Sequence, residues 1–381
     1  MIASADFHLG LTNDSVLVDG VPSRITDTLS RLMEAMWLAS QEPDKTLVIA
    51  GDLFHRYALE PVTVEAALSA FHHARKLGII IYLIPGNHDC DVRWSATVLA
   101  KEMRRTDLIT ITKPTYVPKV GVFLPHMPRS LEIPFLKKEK SYGAYITRIL
   151  EGEKKKLLLI GHAHVDKAVN SFGMSFKGSG TAMVFNPKQF PSAFSLAIFG
   201  HIHCHQVIHS GKGYDIVYTG PATATNFGET EVPNGCIRVD PRTGQWVFVN
   251  YKSPVHEYKH IKINLMDRKG LPSFDEEKIK SVVGGKLLKI TVFAKSAFHV
   301  DEAGIKKVFN KYATVMRMEY KIQSVRTPTT VGGKKQEILP ESLDHMSLLK
   351  EYIRKVEGPS KEIKDRAVEI GREVVSECLE A

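Results

Sequence analysis

Residues 1–255 predict an α/β fold with helices around a sheet, followed by a small second α/β unit and a helical tail. Three observations carry that reading. Short apolar runs that end at glycine recur along the first 200 residues, as buried strands do. Stretches of helical period separate several of them. Beyond residue 255 the alternation repeats on a smaller scale and gives way to a polar stretch rich in proline, glycine and lysine.

Taken in order, the apolar runs 1–5, 46–50, 79–85, 157–160 and 196–199 read as strands. A helix is predicted over 25–40, with Leu29, Leu32, Met33 and Met36 as its apolar stripe. A second starts at Pro61, a residue suited to a first helical turn, and ends at Gly78, a C-cap residue. Strand-like runs at 215–218, 235–239 and 245–249, separated by turn residues, predict a meander that closes the sheet.

Residues 256–327 then read strand (261–265), helix (275–283), strand (286–294), helix (301–312), strand (314–323). That order predicts a compact capping module. It contains no cluster of metal-ligand residue types, so its expected role is to position substrate. Residues 328–340, with two prolines, Gly332-Gly333 and Lys334-Lys335, read as a linker. In the tail, 341–381, Gly358-Pro359-Ser360 divides two amphipathic segments. Leu343, Met346, Leu349, Ile353 and Val356 line the first; Ile363, Ala367, Ile370, Val374 and Cys378 line the second. Such a pair either folds back on its own domain or docks on another protein.

Size and composition bound the function classes. At 381 residues the chain exceeds the ~250–300 that one core supports. Its 43% apolar and 24% charged residues are those of an ordinary soluble protein. No run approaches the ~18 apolar residues of a membrane span. Asp6 and His8 interrupt the N-terminus before a signal-peptide core develops, so the expected location is the cytoplasm. Cys90, Cys204, Cys236 and Cys378 have no paired spacing, which argues for reduced thiols rather than a disulfide framework. Cys90 and Cys204 adjoin ligand-rich turns, but oxygen and imidazole suit the implied metals better than thiolate. A formal charge of +9 favours a polyanionic partner. The lysine clusters at 137–140, 154–156 and 334–335 read singly as solvated loops; together they also suit a nucleic-acid backbone.

The chemistry lies where the five apolar runs stop. They lead into Asp6-Phe7-His8-Leu9-Gly10, Gly51-Asp52-Leu53-Phe54-His55, Gly86-Asn87-His88-Asp89, Gly161-His162-Ala163-His164 and Gly200-His201-Ile202-His203. Ligands just past strand ends converge on one edge of a sheet, on loops held by a rigid scaffold. Carboxylate, amide and imidazole together suit hard divalent cations that activate water against a phosphodiester.

In type and order, Asp6, His8, Asp52, Asn87, His162, His201 and His203 resemble the signature of calcineurin-like metallophosphoesterases. Within that superfamily the chain is similar to the SbcD nucleases and their archaeal and eukaryotic Mre-family counterparts, including bacteriophage recombination exonucleases. Gly51-Asp52-Leu53-Phe54-His55 looks like their second motif, where protein phosphatases carry an arginine-glycine continuation after the aspartate. Gly200-His201-Ile202-His203, followed by Gln206 and Tyr218-Thr219-Gly220-Pro221, resembles their last motif and closing strand.

The resemblance implies a four-layer β-sandwich flanked by helices and a Mn-dependent DNA nuclease, with Mg the lesser choice. One ion would be held by Asp6, His8, Asp52 and His203. The other would be held by Asp52, Asn87, His162 and His201, with Asp52 as the bridge. His88, free beside Asn87, is expected to face the scissile phosphate as a catalytic group, and His55 to contact the phosphate or else cap a loop. Asp89 is expected to orient His88 or its turn. His164, His205 and His72-His73 are left out as neighbours of ligands or helix residues.

Expected partners are DNA, an SMC-like ATPase of the SbcC type bound through the tail, and a second copy of the chain, meeting through 61–76 and 96–105. A small-molecule phosphodiesterase and a non-catalytic scaffold are the competing readings; the full ligand set argues against the second.

Overall fold

The computed structural model describes residues 1–56, 58–88, 107–127, 132, 137–138, 141–151, 156–170, 184–186, 188, 191–209, 213–253, 255–266, 275–294 and 300–322. All of them fall in one compact unit, Met1–Gln323. The predicted linker at 328–340 and helical tail at 341–381 lie outside the described residues.

Two six-stranded sheets form the frame. The first runs in the order Trp246–Asn250, Gly235–Val239, Ile2–Ser4, Thr46–Ala50, Ile80–Ile84, Leu108–Thr110. The last four are parallel, so the C-terminal ends of Ile2–Ser4, Thr46–Ala50 and Ile80–Ile84 emerge at one edge. The second runs Gln206–His209, Asp215–Tyr218, Phe194–Gly200, Leu157–His162, Gly121–Leu124, Thr115–Val117. Here Leu157–His162 and Phe194–Gly200 are parallel neighbours.

Strand periodicity explains the layering, because successive side chains point to opposite faces. Leu47 and Ile49 pack outward against helices α1 (Ser23–Ser40) and α2 (Pro61–Leu77), beside Leu32, Met36 and Phe71. Val48 and Ala50 face inward, onto Leu158, Ile160, Leu196 and Ile198 of the second sheet. On that sheet Leu157, Leu159, Ala197 and Phe199 turn outward to Ile146 of α3 (Tyr142–Ile149). The result is helix, sheet, sheet, helix: the four-layer sandwich that the resemblance implies. The central strands, such as Thr46–Ala50 and Leu157–His162, are apolar on both faces because each face is covered.

The helix limits follow their caps. Pro61 opens α2, and Gly78, at φ +69°, closes it by donating to the carbonyls of Ala74 and Arg75. Helix α1 begins two residues before the predicted start, where a hairpin (Leu17–Val18 with Val21–Pro22) delivers the chain and Ser23 donates to Val16.

Two expectations are corrected. The meander over 211–249 does not form: Asp215–Tyr218 belongs to the second sheet, whereas Gly235–Val239 and Trp246–Asn250 make a hairpin on the first. Residues 219–234 carry the chain between the sheets. Apolar alternation marks a strand as buried but not the sheet that recruits it. For the same reason the five ligand-bearing turns do not share one sheet edge; three leave the first sheet and two leave the second.

Past residue 255, Tyr258–Asn264, Leu287–Ala294 and Thr314–Ile322 form a parallel three-stranded sheet. Helices α4 (Glu276–Val283) and α5 (Glu302–Phe309) are its crossovers, N-capped by Asp275 and Asp301. Ile263, Ile290 and Val292 pack on Ile279, Val283, Ile305 and Phe309, giving this sheet a core of its own. Lys262, Lys289, Arg317 and Lys321 lie on its other face, by register with Thr291 and Phe293, and Glu319 offsets part of that charge. Among the described residues no helix is long and apolar enough to cross a membrane.

Candidate metal centre

The first two ligand turns are zipped together beyond their strands. Asp6 N–H donates to Gly51 O at 3.1 Å, His8 to Asp52 at 3.0 Å, Leu9 to Leu53 at 2.8 Å, and His55 returns to Leu9 at 3.0 Å. This ladder holds Asp6, His8, Asp52 and His55 on adjoining backbones. Asp6, His8, Asp52 and His201 all have positive φ (53°, 52°, 50° and 98°). A left-handed conformation costs a non-glycine residue roughly 1–3 kcal/mol and persists only where the surroundings impose it. Four such residues on converging turns mark a site held for a purpose other than stability.

Close packing leaves no space between the turns. A Cβ on Gly51, already at φ +90°, would lie 2.0 Å from His162 Nδ1. One on Gly86 would lie 2.0 Å from Asp52 Oδ1 and 2.4 Å from the Asp52 nitrogen.

All seven predicted metal-binding residues meet here. His8 Nε2 and His203 Nε2 face each other at 3.0 Å. Asp52 Oδ2 lies 3.8 Å from His8 Nε2 and 3.4 Å from His162 Nε2, so one carboxylate oxygen reaches both halves of the site. Asn87 Oδ1 is 3.0 Å from His162 Nε2 and 2.8 Å from His201 Nδ1. Asp6 accepts the His201 N–H on both oxygens, at 3.1 and 3.0 Å. His162 Nδ1 donates to the carbonyl of Ala50 at 2.9 Å, which turns its Nε2 toward Asp52 and Asn87. Asp6, His8 and His203 offer three ligand atoms within 4.8 Å of one another, as do Asp6, Asp52 and His162.

His88 and His55 occupy the outer side. His88 Nδ1 donates to the His55 carbonyl at 3.3 Å, and the two rings stack at 5.3 Å. The His88 ring is exposed and 4.7 Å from that of His8. Its backbone N–H donates to Asp52 Oδ1 at 2.9 Å. One residue thus fixes the central carboxylate through its backbone and leaves its imidazole toward solvent. The nitrogens of His8, His55 and His88 also lie within 4.8 Å of one another.

The charges of the site act strongly on one another. Burial pushes the Asp6 carboxyl up to about 6, against the pull of His203 and His162. Asp52 is equally buried, but His162 outweighs that effect and holds its carboxyl well below the usual carboxylate range. His162 and His203 both stand at about 9: burial opposes their charge, while Asp52 and Asp6 for the first, and Glu229 and Asp6 for the second, favour it more. His201 is pushed down to about 3 and His8 is also lowered, both chiefly by burial. Packed carboxylates and imidazoles call for positive charge among them, which protons on His162 and His203 supply here and divalent ions can supply in their place. With two carboxylates, an amide and four imidazoles, the donor set fits hard or borderline divalent ions.

A family model described as calcineurin-like phosphoesterase matches residues 2–205, more than half of the chain. The chain belongs to that family. Among curated proteins, none matches it. The match places the chain among phosphoesterases that bind divalent metal and hydrolyse phosphoesters, and it spans the turns that carry all seven donors.

Some residues near the phosphoesterase site escape the sequence reading. Glu229 accepts from His203 Nδ1 at 3.1 Å, from a loop with no periodic pattern to mark it. His126, whose N–H donates to Pro85 at 3.0 Å, is pushed down to about 4 by burial and by His162. The exclusion of His205 has a structural reason: its Nδ1 donates to Tyr218 O at 2.7 Å and its ring stacks on Phe248 at 4.0 Å. Asp89 lies outside the described residues.

Proposed function

We propose that this phosphoesterase is the Mn-dependent nuclease subunit of a DNA repair or recombination machine, cleaving phosphodiesters as an exonuclease on duplex ends and an endonuclease on single strands and hairpins. The observation that carries this reading is the gathering of seven donors behind an exposed His88 stacked on a half-buried His55. Donors behind and two stacked imidazoles in front suit a substrate that presents one phosphate along an extended chain.

Asp6, His8, Asp52 and His203 would hold one ion, and Asp52, Asn87, His162 and His201 the other. When bound, the ions supply Lewis-acid charge neutralisation and a water acidic enough to attack near neutral pH. The chain's residues do the rest. His88, fixed at Nδ1 by the His55 carbonyl, presents Nε2 outward to stabilise the phosphate or protonate the departing oxygen. His55, with its pKa lowered by burial and by His88, contacts the phosphate as a neutral donor. Asp89 orients the His88 turn.

The net charge of +9 and the cationic face of the second sheet support a nucleic-acid substrate, and residues 256–327 position it. Residues 341–381 grip an SbcC-type SMC-like ATPase, and 61–76 with 96–105 form the homodimer contact. The machine works in the cytoplasm, at the nucleoid of a bacterial or phage-infected cell.

End-labelled duplex and bis(p-nitrophenyl) phosphate, incubated at equal Mn2+ with and without the partner ATPase, test the proposal. Chelator-sensitive shortening of the duplex is expected. Turnover of the small ester with intact DNA in every mixture would replace the nuclease with a small-molecule phosphodiesterase.

A further inference from the structure

Glu229 belongs to none of the five ligand-bearing turns, yet it is almost wholly buried, at 6% exposure. Its carboxylate accepts from His203 Nδ1 at 3.1 Å, Thr225 N–H at 2.9 Å, Thr225 Oγ1 at 2.9 Å and Asn226 Nδ2 at 2.7 Å. A carboxylate that accepts four donors is fixed in space, and three of them come from its own loop. That loop is fixed in turn. Arg24 of α1 donates to the carbonyl of Ala224, Phe227 packs on Tyr258 with ring centroids 5.8 Å apart, and Lys259 pairs with Glu231 at 2.5 Å.

The consequence falls on His203. Because a carboxylate only accepts, Nδ1 carries the hydrogen, and Nε2, 3.0 Å from His8 Nε2, is left as the lone-pair nitrogen when an ion is present. The Thr225 hydroxyl, 3.3 Å from the same Nδ1, already donates its hydrogen to Glu229 and so can only accept there, which agrees with a hydrogen on Nδ1. We infer that Glu229 is a positioning residue for the metal centre: it fixes the tautomer and ring plane of His203 and raises the basicity of its Nε2. The inference rests on the metal-site reading above, and it assigns a role to the loop at 224–231, which the ligand turns leave unexplained. Partners of this kind typically affect metal affinity by about 10–100-fold.

Mn2+ binding to the full chain, followed by calorimetry and by electron paramagnetic resonance, provides the test. Glu229→Gln keeps the size and one acceptor oxygen; Glu229→Ala removes both. The ion held through His203 is expected to weaken about 10-fold in the first and up to about 100-fold in the second, with the other ion unchanged. In a His203→Ala background, Glu229→Gln should have no further effect, since the interaction it acts through is gone. Wild-type affinity in Glu229→Gln, or an equal loss with and without His203, overturns the inference. A wild-type chain that binds no pair of ions would instead overturn the metal-site reading.

Discussion

At the scale of single residues, His88 is the sharpest test of division of labour. Its backbone serves Asp52, while its exposed ring is held at Nδ1 by the His55 carbonyl and stacked on the His55 ring. His88→Ala keeps that backbone N–H, so metal stoichiometry should be unchanged while turnover falls about 10²–10⁴-fold. Wild-type turnover would remove His88 from the chemistry. His162 and His203 carry a pH prediction. Their folded values, about 9, stand above the ordinary 6.5, so their charge stabilises the fold fully below pH 6.5, and this stabilisation is lost as pH rises through 9. Divalent ions must displace those protons, so apparent metal affinity rises with pH between 6.5 and 9. Calorimetry at pH 7 in buffers of different ionisation enthalpy should register proton release, and its absence would contradict the assignment.

At the scale of elements, the ligand turns are as tightly specified as any strand. Gly86→Ala would drive a methyl group into the Asp52 carboxylate and nitrogen, so Mn2+ binding should be lost while far-ultraviolet circular dichroism stays folded. Binding at wild-type strength would mean that the two turns are not packed as described. Ile49→Ala, in the outer layer of the strand that leads to Asp52, should instead cost about 2–5 kcal/mol of stability without a direct effect on ligands.

This contrast also shows what the chain's sequence makes legible. Asp6-Phe7-His8 and Gly200-His201-Ile202-His203 are readable because ligand type, glycine and a preceding apolar run sit within a few residues. Helix α2 is readable from Pro61 and Gly78, which terminate it locally. The destination of Gly235–Val239 is not, because it depends on a partner at the other end of the chain, Ile2 with Arg238, whereas Asp215–Tyr218 stays with its near neighbour Phe194–Gly200. Glu229 is hidden because its meaning comes from His203, across two strands and from a loop with no periodic pattern.

At the scale of the whole molecule, two sheets each supply part of one centre, so binding ions should tie the sandwich together. At 100 times the dissociation constant, each ion adds about 2.7 kcal/mol to unfolding. The melting temperature should therefore rise by several degrees with Mn2+, and a thermal scan with no shift would argue against a shared site. The account rests on seven side chains from both sheets holding a close pair of cations through Asp52. Titrating the wild-type chain and Asp52→Asn with Mn2+ under electron paramagnetic resonance tests this most directly. The prediction is two ions per wild-type chain with a spin-coupled signal, and loss of that coupling in Asp52→Asn. A single uncoupled ion in the wild type, or coupling that survives the substitution, would contradict it.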